Sequence, residues 1–344
     1  MKTVTIAASR QYDIKIGSGL LCTLGAAAAA LGKARKVCIV SDSNVLPLYG
    51  AEAEASLRQA GLETSVFHFP AGEESKNAAT YISLLEHLAE NRLTRTDLIV
   101  ALGGGVVGDL AGFAAATYLR GIRYIQVPTT LLAAVDSSVG GKTAVDLTAG
   151  KNLAGAFWQP SLVLCDTDTL NTLPEEIFLD GCAEVIKYAV LYDEAFFASL
   201  EQTGPRFDRE AVIARCVRMK RDAVMADEFD TGERMKLNLG HTLGHGVEAG
   251  SHFTISHGKA VSIGMAMAAR ACGCADAPRI EALLETFRLP TRTELSSRVL
   301  LDCALADKKR SGATVNLILP ERIGACAIVP TGVDSLLSFI EAGY

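Results

Sequence analysis

The sequence predicts two parts: an α/β domain built on a parallel sheet, then a mostly α-helical domain. Three observations carry this. Short apolar, β-branched runs alternate with helical periods through the first half. From about residue 174 to 289 the pattern turns almost wholly helical. Gly103-Gly104-Gly105-Val106-Val107-Gly108 sits where a strand passes into a helix, the context of a Rossmann-like phosphate turn.

The elements follow in order. Residues 1–17 alternate apolar and polar and predict strands rather than the apolar core of a signal peptide. Leu20 to Leu31 is Ala-rich and far too short to span a membrane. Lys36 to Val40 is a strand ending at the turn formers Ser41-Asp42-Ser43-Asn44. A helix follows over about 52–60, a strand over 63–69, a helix over 77–91 and a fully apolar strand over 98–102. A helix then runs to about Tyr118, and a strand over 124–127 stops at Pro128. In the helical half Ser256 reads as a helix cap, and a weak strand pair, 314–319 and 324–329, follows. The division is placed at 1–170 for the α/β domain and 171–344 for the helical one. In such α/β proteins the ligand lies at the carboxyl ends of the strands.

Composition narrows the classes. At roughly 150 residues per domain, 344 residues make about two domains. Half the residues are hydrophobic, so real cores are expected, and the net charge of −6 argues against a partner held by phosphate-backbone contacts. Nine scattered cysteines without a CxxC pair read as buried thiols in a reducing cytoplasm.

The glycine turn would offer backbone N–H groups to a pyrophosphate. It comes late in the fold, and no acidic residue closes the next strand about 20 residues on. Asp42, at an earlier strand end, is placed to take ribose hydroxyls instead, so a dinucleotide bound by an unusual order of parts is expected. Thr129 and Thr130 follow another strand end on the same edge.

His241 and His245 stand at i, i+4 on one helical face, and His257 follows in Ser256-His257-Gly258. Glu184 lies one turn before Lys187. Three of these groups would make an N/N/O site with an open position, as catalytic zinc requires. Spacing alone nominates His241 and His245 as the ligand pair and does not say which histidine is spare. Around these motifs stand Arg120, Lys142, Lys151, Lys187, Lys220, Arg234 and Lys308. Such a basic grouping in an acidic chain suits an anionic substrate, Arg pairing with carboxylate and Lys with phosphate.

Six stretches now carry a resemblance: GGGVVGDLAGFAAATYLRG, VPTTLLAAVDSSVGGKTAVD, GKNLAGAFWQP, LDGCAEVIKYAV, DEFDTGERMKLNLGHTLGHGVEA and HGKAVSIGM. Together they closely resemble the 3-dehydroquinate synthase family of the sugar-phosphate cyclases, over about residues 36–330. The resemblance implies a dehydroquinate synthase-like fold, with zinc or cobalt on Glu184, His241 and His257. His245 would then face the substrate. It implies NAD against Asp42, Asn44, Glu73, Lys76, Gly104, Gly105, Val106, Asp109, Thr129, Thr130, Thr169, Leu170 and Thr172, with Lys142 and Lys151 near it. It places the substrate against Asp136, Lys142, Asn152, Lys187, Lys220, Arg234, Asn238, His245 and Lys308. It implies a homodimer in which Arg120 reaches a neighbouring subunit's site. Where the family often has Glu after His-Gly, this chain has Lys259.

The activity implied is conversion of 3-deoxy-D-arabino-heptulosonate 7-phosphate (DAHP) to 3-dehydroquinate and phosphate, in the shikimate pathway to chorismate and the aromatic amino acids. Oxidation by NAD, β-elimination of phosphate, re-reduction, ring opening and aldol closure would follow one another. The substrate is a small anionic sugar phosphate, with no nucleic acid or membrane partner, in the cytoplasm. A glycerol-type dehydrogenase would share the fold but release NADH. Cyclases of glucose 6-phosphate or sedoheptulose 7-phosphate would have no carboxylate for Arg234 to hold.

Overall fold

The computed structural model describes residues 1–306, 310–311 and 314–344. Lys308 lies outside these residues. The chain forms two compact units: Met1–Pro174 with Arg209–Phe229, and Glu175–Asp208 with Asp230–Tyr344.

The first unit carries strands β1 (Lys2–Ala7), β2 (Gln11–Gly17), β3 (Lys36–Asp42), β4 (Glu63–Phe69), β5 (Leu98–Gly103), β6 (Arg123–Pro128), β7 (Lys142–Leu147), β8 (Gly150–Phe157) and β9 (Leu162–Asp166). Its first four helices are α1 (Leu24–Ala30), α2 (Leu46–Gln59), α3 (Ala78–Glu90) and α4 (Gly105–Thr117). Seven strands form one sheet in the order β1-β2-β9-β6-β5-β3-β4. All its neighbours are parallel except β1 and β2. The central strands are apolar on both faces because helices cover both. One core layer joins Leu57 and Leu24 to Val37, Ile39 and Val100. The other joins Leu84, Leu110 and Ala114 to Cys38, Ile99 and Tyr124.

β7 and β8 form a separate antiparallel hairpin. Its burial does not alternate cleanly and it holds Gly150 and Gly155, so no strand signal announces it. α2 begins at Leu46, several residues before the expected start. Pro47 sits in its first turn, where a missing N–H costs nothing.

The second unit holds α5 (Glu175–Tyr192) and α6 (Glu194–Thr203). Next along the chain comes α7 (Arg209–Ala226), which packs on β1 and β2 and so belongs to the first unit. A boundary at 170/171 assigns it to the helical half instead. The second unit continues with α8 (His241–Gly250), α9 (His257–Ala271), α10 (Ala277–Thr286) and α11 (Ser297–Ala306). β10 (Arg310–Ser311), β11 (Thr314–Arg322), β12 (Ala325–Gly332) and α12 (Val333–Ala342) complete it. Its core gathers Leu243, Val247, Ile263, Leu300, Leu317 and Ile340.

All nine cysteines are free thiols. Burial pushes Cys38 and Cys165 up to about 12, which leaves both protonated and inert at neutral pH. Among the described residues no helix is long and apolar enough to cross a membrane.

Candidate functional site

In the second unit three helices meet at one carboxylate. Glu184 is fully buried in the middle of α5. One turn on, Lys187 is also buried and its Nζ forms an ion pair with Glu184 Oε2. A buried carboxylate needs such company, because isolated charge is costly away from water.

Glycine brings α8 and α9 together over it. Gly240 precedes α8 with φ +76°, and a Cβ there would lie 2.6 Å from the Val261 carbonyl oxygen. On α9, a Cβ at Gly264 would lie 2.0 Å from the Gly240 carbonyl oxygen. Backbone therefore meets backbone, and the His241 and His257 rings come to 5.3 Å, centroid to centroid. His241 Nε2 stands 3.5 Å from Glu184 Oε1, and His257 Nε2 stands 3.3 Å from the same oxygen. Ligand atoms of Glu184, His241 and His257 lie within 4.8 Å of one another. His245 lies outside that group, its ring 5.6 Å from that of His241 and 6.5 Å from that of His257.

The donor set fits a divalent ion. Bonds of about 2.0–2.2 Å from tetrahedral zinc to nitrogen and oxygen put neighbouring ligand atoms roughly 3.4 Å apart, which matches the two histidine–Glu184 separations. Each imidazole also has its second nitrogen occupied. His241 Nδ1 lies 3.1 Å from the Leu239 carbonyl oxygen, and His257 Nδ1 lies 3.4 Å from Glu248 Oε2. Burial opposes the charged form of His257, but Glu184 and Glu248 together outweigh it and push its pKa up to about 10.

Asp180, one turn before Glu184, holds the start of α9. Its Oδ1 accepts from Ser256 Oγ at 2.5 Å and from the Lys259 N–H at 3.0 Å, while Oδ2 accepts from the Gly258 N–H at 3.1 Å. Ser256 thus stands where a cap is expected, but its hydroxyl donates to Asp180 and the carboxylate does the capping. Lys259 pairs with the exposed Glu176 at 2.5 Å and touches no member of the triad. Arg234, buried, and Asn238 lie on the short turn Glu233–Asn238 that leads into α8. Asn238 Nδ2 donates to the Met235 carbonyl there, at 3.0 Å.

In the first unit β5 runs into the glycine turn. None of Gly103, Gly104, Gly105 or Gly108 has positive φ. They are required by close approach instead. A Cβ at Gly104 would stand 3.1 Å from Thr130 Cγ2, and one at Gly108 would stand 2.6 Å from Gln126 Oε1. Thr129 donates its N–H to the Gly103 carbonyl at 3.0 Å. The turn and the two threonines therefore share one edge, with Val106 in the first turn of α4.

Beside the helix lies a polar network. Lys76, buried, reaches Asp109 Oδ2 at 2.6 Å, Asn152 Oδ1 at 2.6 Å and Glu73 Oε1 at 3.8 Å. Burial favours its neutral amine, but Asp109 and Glu73 outweigh that and hold it above its ordinary value. Lys151 extends the network to Glu73 at 3.9 Å. Asn152 has φ +55°, and its N–H donates to Asp146 Oδ1 at 2.8 Å.

Other expected residues stand in separate local groups. Asp42 Oδ1 accepts from the N–H groups of Asn44 at 2.8 Å and Val45 at 3.0 Å, closing the turn before α2. The Tyr49 hydroxyl donates to the Thr169 carbonyl at 3.0 Å and also meets the Thr172 hydroxyl, with Leu170 buried beneath. Lys220 Nζ donates to the Asp136 carbonyl at 2.7 Å and to its Oδ1 at 2.9 Å. Lys142 opens β7 at the surface. Arg120 is exposed with φ +66°, directly after Leu119 at φ +51°.

Sequence reading missed Asp180, Glu248 and Asp146. The signals existed: Asp180 precedes Glu184 by four residues and Glu248 follows His241 by seven, both spacings returning to one helical face.

The family model described as 3-dehydroquinate synthase N-terminal matches residues 66–180, and that described as 3-dehydroquinate synthase C-terminal matches residues 181–310. A 3-dehydroquinate synthase of Pelobacter propionicus is 46% identical over 341 residues, covering 95% of each chain. Among solved structures, a 2-deoxy-scyllo-inosose synthase complexed with carbaglucose-6-phosphate, NAD+ and Co2+ superposes with TM-score 0.89 at 26% identity, covering 100% of both chains. The 2-epi-5-epi-valiolone synthase of Streptomyces hygroscopicus subsp. jinggangensis, with NAD+ and Zn2+ bound, gives TM-score 0.89 at 26% identity, covering 99% of this chain and 97% of that one. The chain belongs to the 3-dehydroquinate synthase family.

Proposed function

We propose that this chain is a 3-dehydroquinate synthase, a lyase that converts DAHP to 3-dehydroquinate and phosphate in the shikimate pathway. The observation that carries this is the Glu184–His241–His257 group, in a chain 46% identical to a 3-dehydroquinate synthase over nearly its whole length.

Glu184, His241 and His257 would hold a divalent ion, zinc by preference and cobalt as an alternative, which would supply polarisation of the substrate hydroxyl to be oxidised. The glycine turn and the Glu73–Lys76–Asp109 network would hold NAD, which would supply reversible hydride acceptance, so the net reaction is not a redox one. Backbone N–H groups at the start of α4 would serve its pyrophosphate. Asp42 and Asn44 serve the ribose, and Thr129, Thr130, Thr169, Leu170 and Thr172 complete the binding surface.

Lys142, Asn152, Lys187 and His245 hold the phosphate of the substrate, with Lys151 near both ligands. Arg234 takes the carboxylate by two parallel hydrogen bonds, and Lys220, held by Asp136, takes ring oxygens. Asn238 and Lys308 complete the substrate contacts. Once oxidation has made the neighbouring C–H acidic, phosphate leaves by β-elimination with its own oxygen as base, and His245 relays a proton. The enzyme acts in the cytoplasm as a homodimer, Arg120 serving the neighbouring subunit's site.

The test is phosphate release from three sugar phosphates: DAHP, glucose 6-phosphate and sedoheptulose 7-phosphate. Turnover is expected on the first alone. Arg234→Ala is expected to abolish it while NAD still binds, as followed by cofactor fluorescence. Turnover on either sugar that lacks the carboxylate would move the assignment to another cyclase.

A further inference from the structure

Both imidazoles of the triad are held in the same way, with one difference. Each turns Nε2 toward Glu184 and gives Nδ1 to an acceptor. For His241 the acceptor is a neutral backbone carbonyl, that of Leu239. For His257 it is a carboxylate, that of Glu248. Glu248 is 5% exposed and sits seven residues after His241 on α8, so it shares His241's face of the helix. Burying a carboxylate inside a helical unit is costly without a charged or hydrogen-bonding partner. The side chain of His257 is also the more open of the two, at 33% exposed against 12% for His241, and it is the one with the charged acceptor behind it.

We propose that Glu248 is the positioning residue of the metal centre, accepting the Nδ1 proton of His257, fixing its tautomer and aiming Nε2 at the ion. This rests on the metal reading of Glu184, His241 and His257. Glu248 is not a fourth ligand: its oxygen meets the nitrogen on the far side of the ring from Glu184, and it stands outside the close-set group. Its charge makes the imidazole a stronger donor and holds it in place, the two effects that outer carboxylates have on ligating histidines. Asp180, Glu184, Lys187, His241 and His245 are among the other ionisable groups near the His257 ring or its helix start.

The experiment is a titration of the metal-stripped full chain with Co2+, read by visible absorption and by competition with a chelator. Wild type, Glu248→Gln, Glu248→Ala and His257→Ala are compared, together with the melting temperature of each metal-free protein. The expected order of affinity is wild type, then Gln, then Ala, the Ala variant losing about 10- to 100-fold, with a changed absorption band in both. Gln keeps the shape and one acceptor, so it carries the test if Ala does not fold. Unchanged Co2+ affinity and spectrum in the Gln variant, with only the melting temperature lowered, would reduce Glu248 to a structural role and overturn the proposal. If His257→Ala binds Co2+ as wild type does, the metal reading itself falls and the proposal with it.

Discussion

Two histidines one helical turn apart have different surroundings here, and that difference predicts different losses. His241 faces Glu184, with its Nδ1 on a backbone carbonyl; His245 stands off the group. His241→Ala is expected to lose the metal. His245→Ala is expected to keep a full equivalent of metal while kcat falls by about 10²- to 10⁴-fold, the usual cost of a missing proton relay. Metal content by atomic absorption beside steady-state rates checks the split, and equal metal loss in both variants would contradict it.

His257 makes a second prediction at this scale. Raised to about 10 by Glu184 and Glu248, it is protonated at neutral pH when no metal is present. A metal that takes Nε2 must displace that proton, so binding at pH 7.5 is expected to release about one proton and to strengthen as pH rises toward 10. The stability that protonated His257 lends the metal-free protein runs the opposite way. It is full below about 6.5, the ordinary histidine value, and fades as pH climbs through the raised value. Calorimetry in buffers of different ionisation enthalpy counts the proton; no buffer dependence would contradict the assignment.

At the scale of elements, the metal group depends on how closely α8 and α9 approach. Gly264 meets the Gly240 carbonyl where a Cβ would be 2.0 Å away, and backbone cannot move aside as a flexible side chain can. Gly264→Ala is expected to cost about 1–3 kcal/mol of stability and to weaken metal binding, because the two helices carry His241 and His257. Denaturant unfolding with and without Co2+ measures both, and a neutral effect would mean that the helices can separate without loss.

The elements also show what sequence makes legible. β3, β5 and β6 are short, apolar and β-branched because both faces are covered, and the pattern reveals them. The β7–β8 hairpin lacks that signature and escapes notice. The affiliation of α7 depends on packing against β1, some two hundred residues away in sequence, which no local period records. The metal group is a mixed case. The i, i+4 rule pairs His241 with His245, which stands off the group; the ligands that join His241 come from two other helices, a tertiary fact, and it took the resemblance to single out His257. Asp180 and Glu248 went unnoticed because a lone acid in a helix looks like any solvated charge until its burial is known.

On the scale of the molecule, the charge balance takes on a local meaning. A chain of net charge −6 still buries Lys76, Lys187, Lys220 and Arg234. Lys76, Lys187 and Lys220 each have an acidic neighbour, namely Asp109, Glu184 and Asp136. Buried cations are retained at a cost, and each of these four is among the residues proposed above for cofactor or substrate. The proposed chemistry uses NAD as a catalyst that ends each cycle oxidised, which separates a synthase from the dehydrogenases that share its architecture. The most direct test supplies DAHP in large excess over a trace of NAD and follows inorganic phosphate and NADH together. A synthase releases many equivalents of phosphate per NAD with no accumulation of NADH. One NADH per substrate consumed, without phosphate, would contradict it.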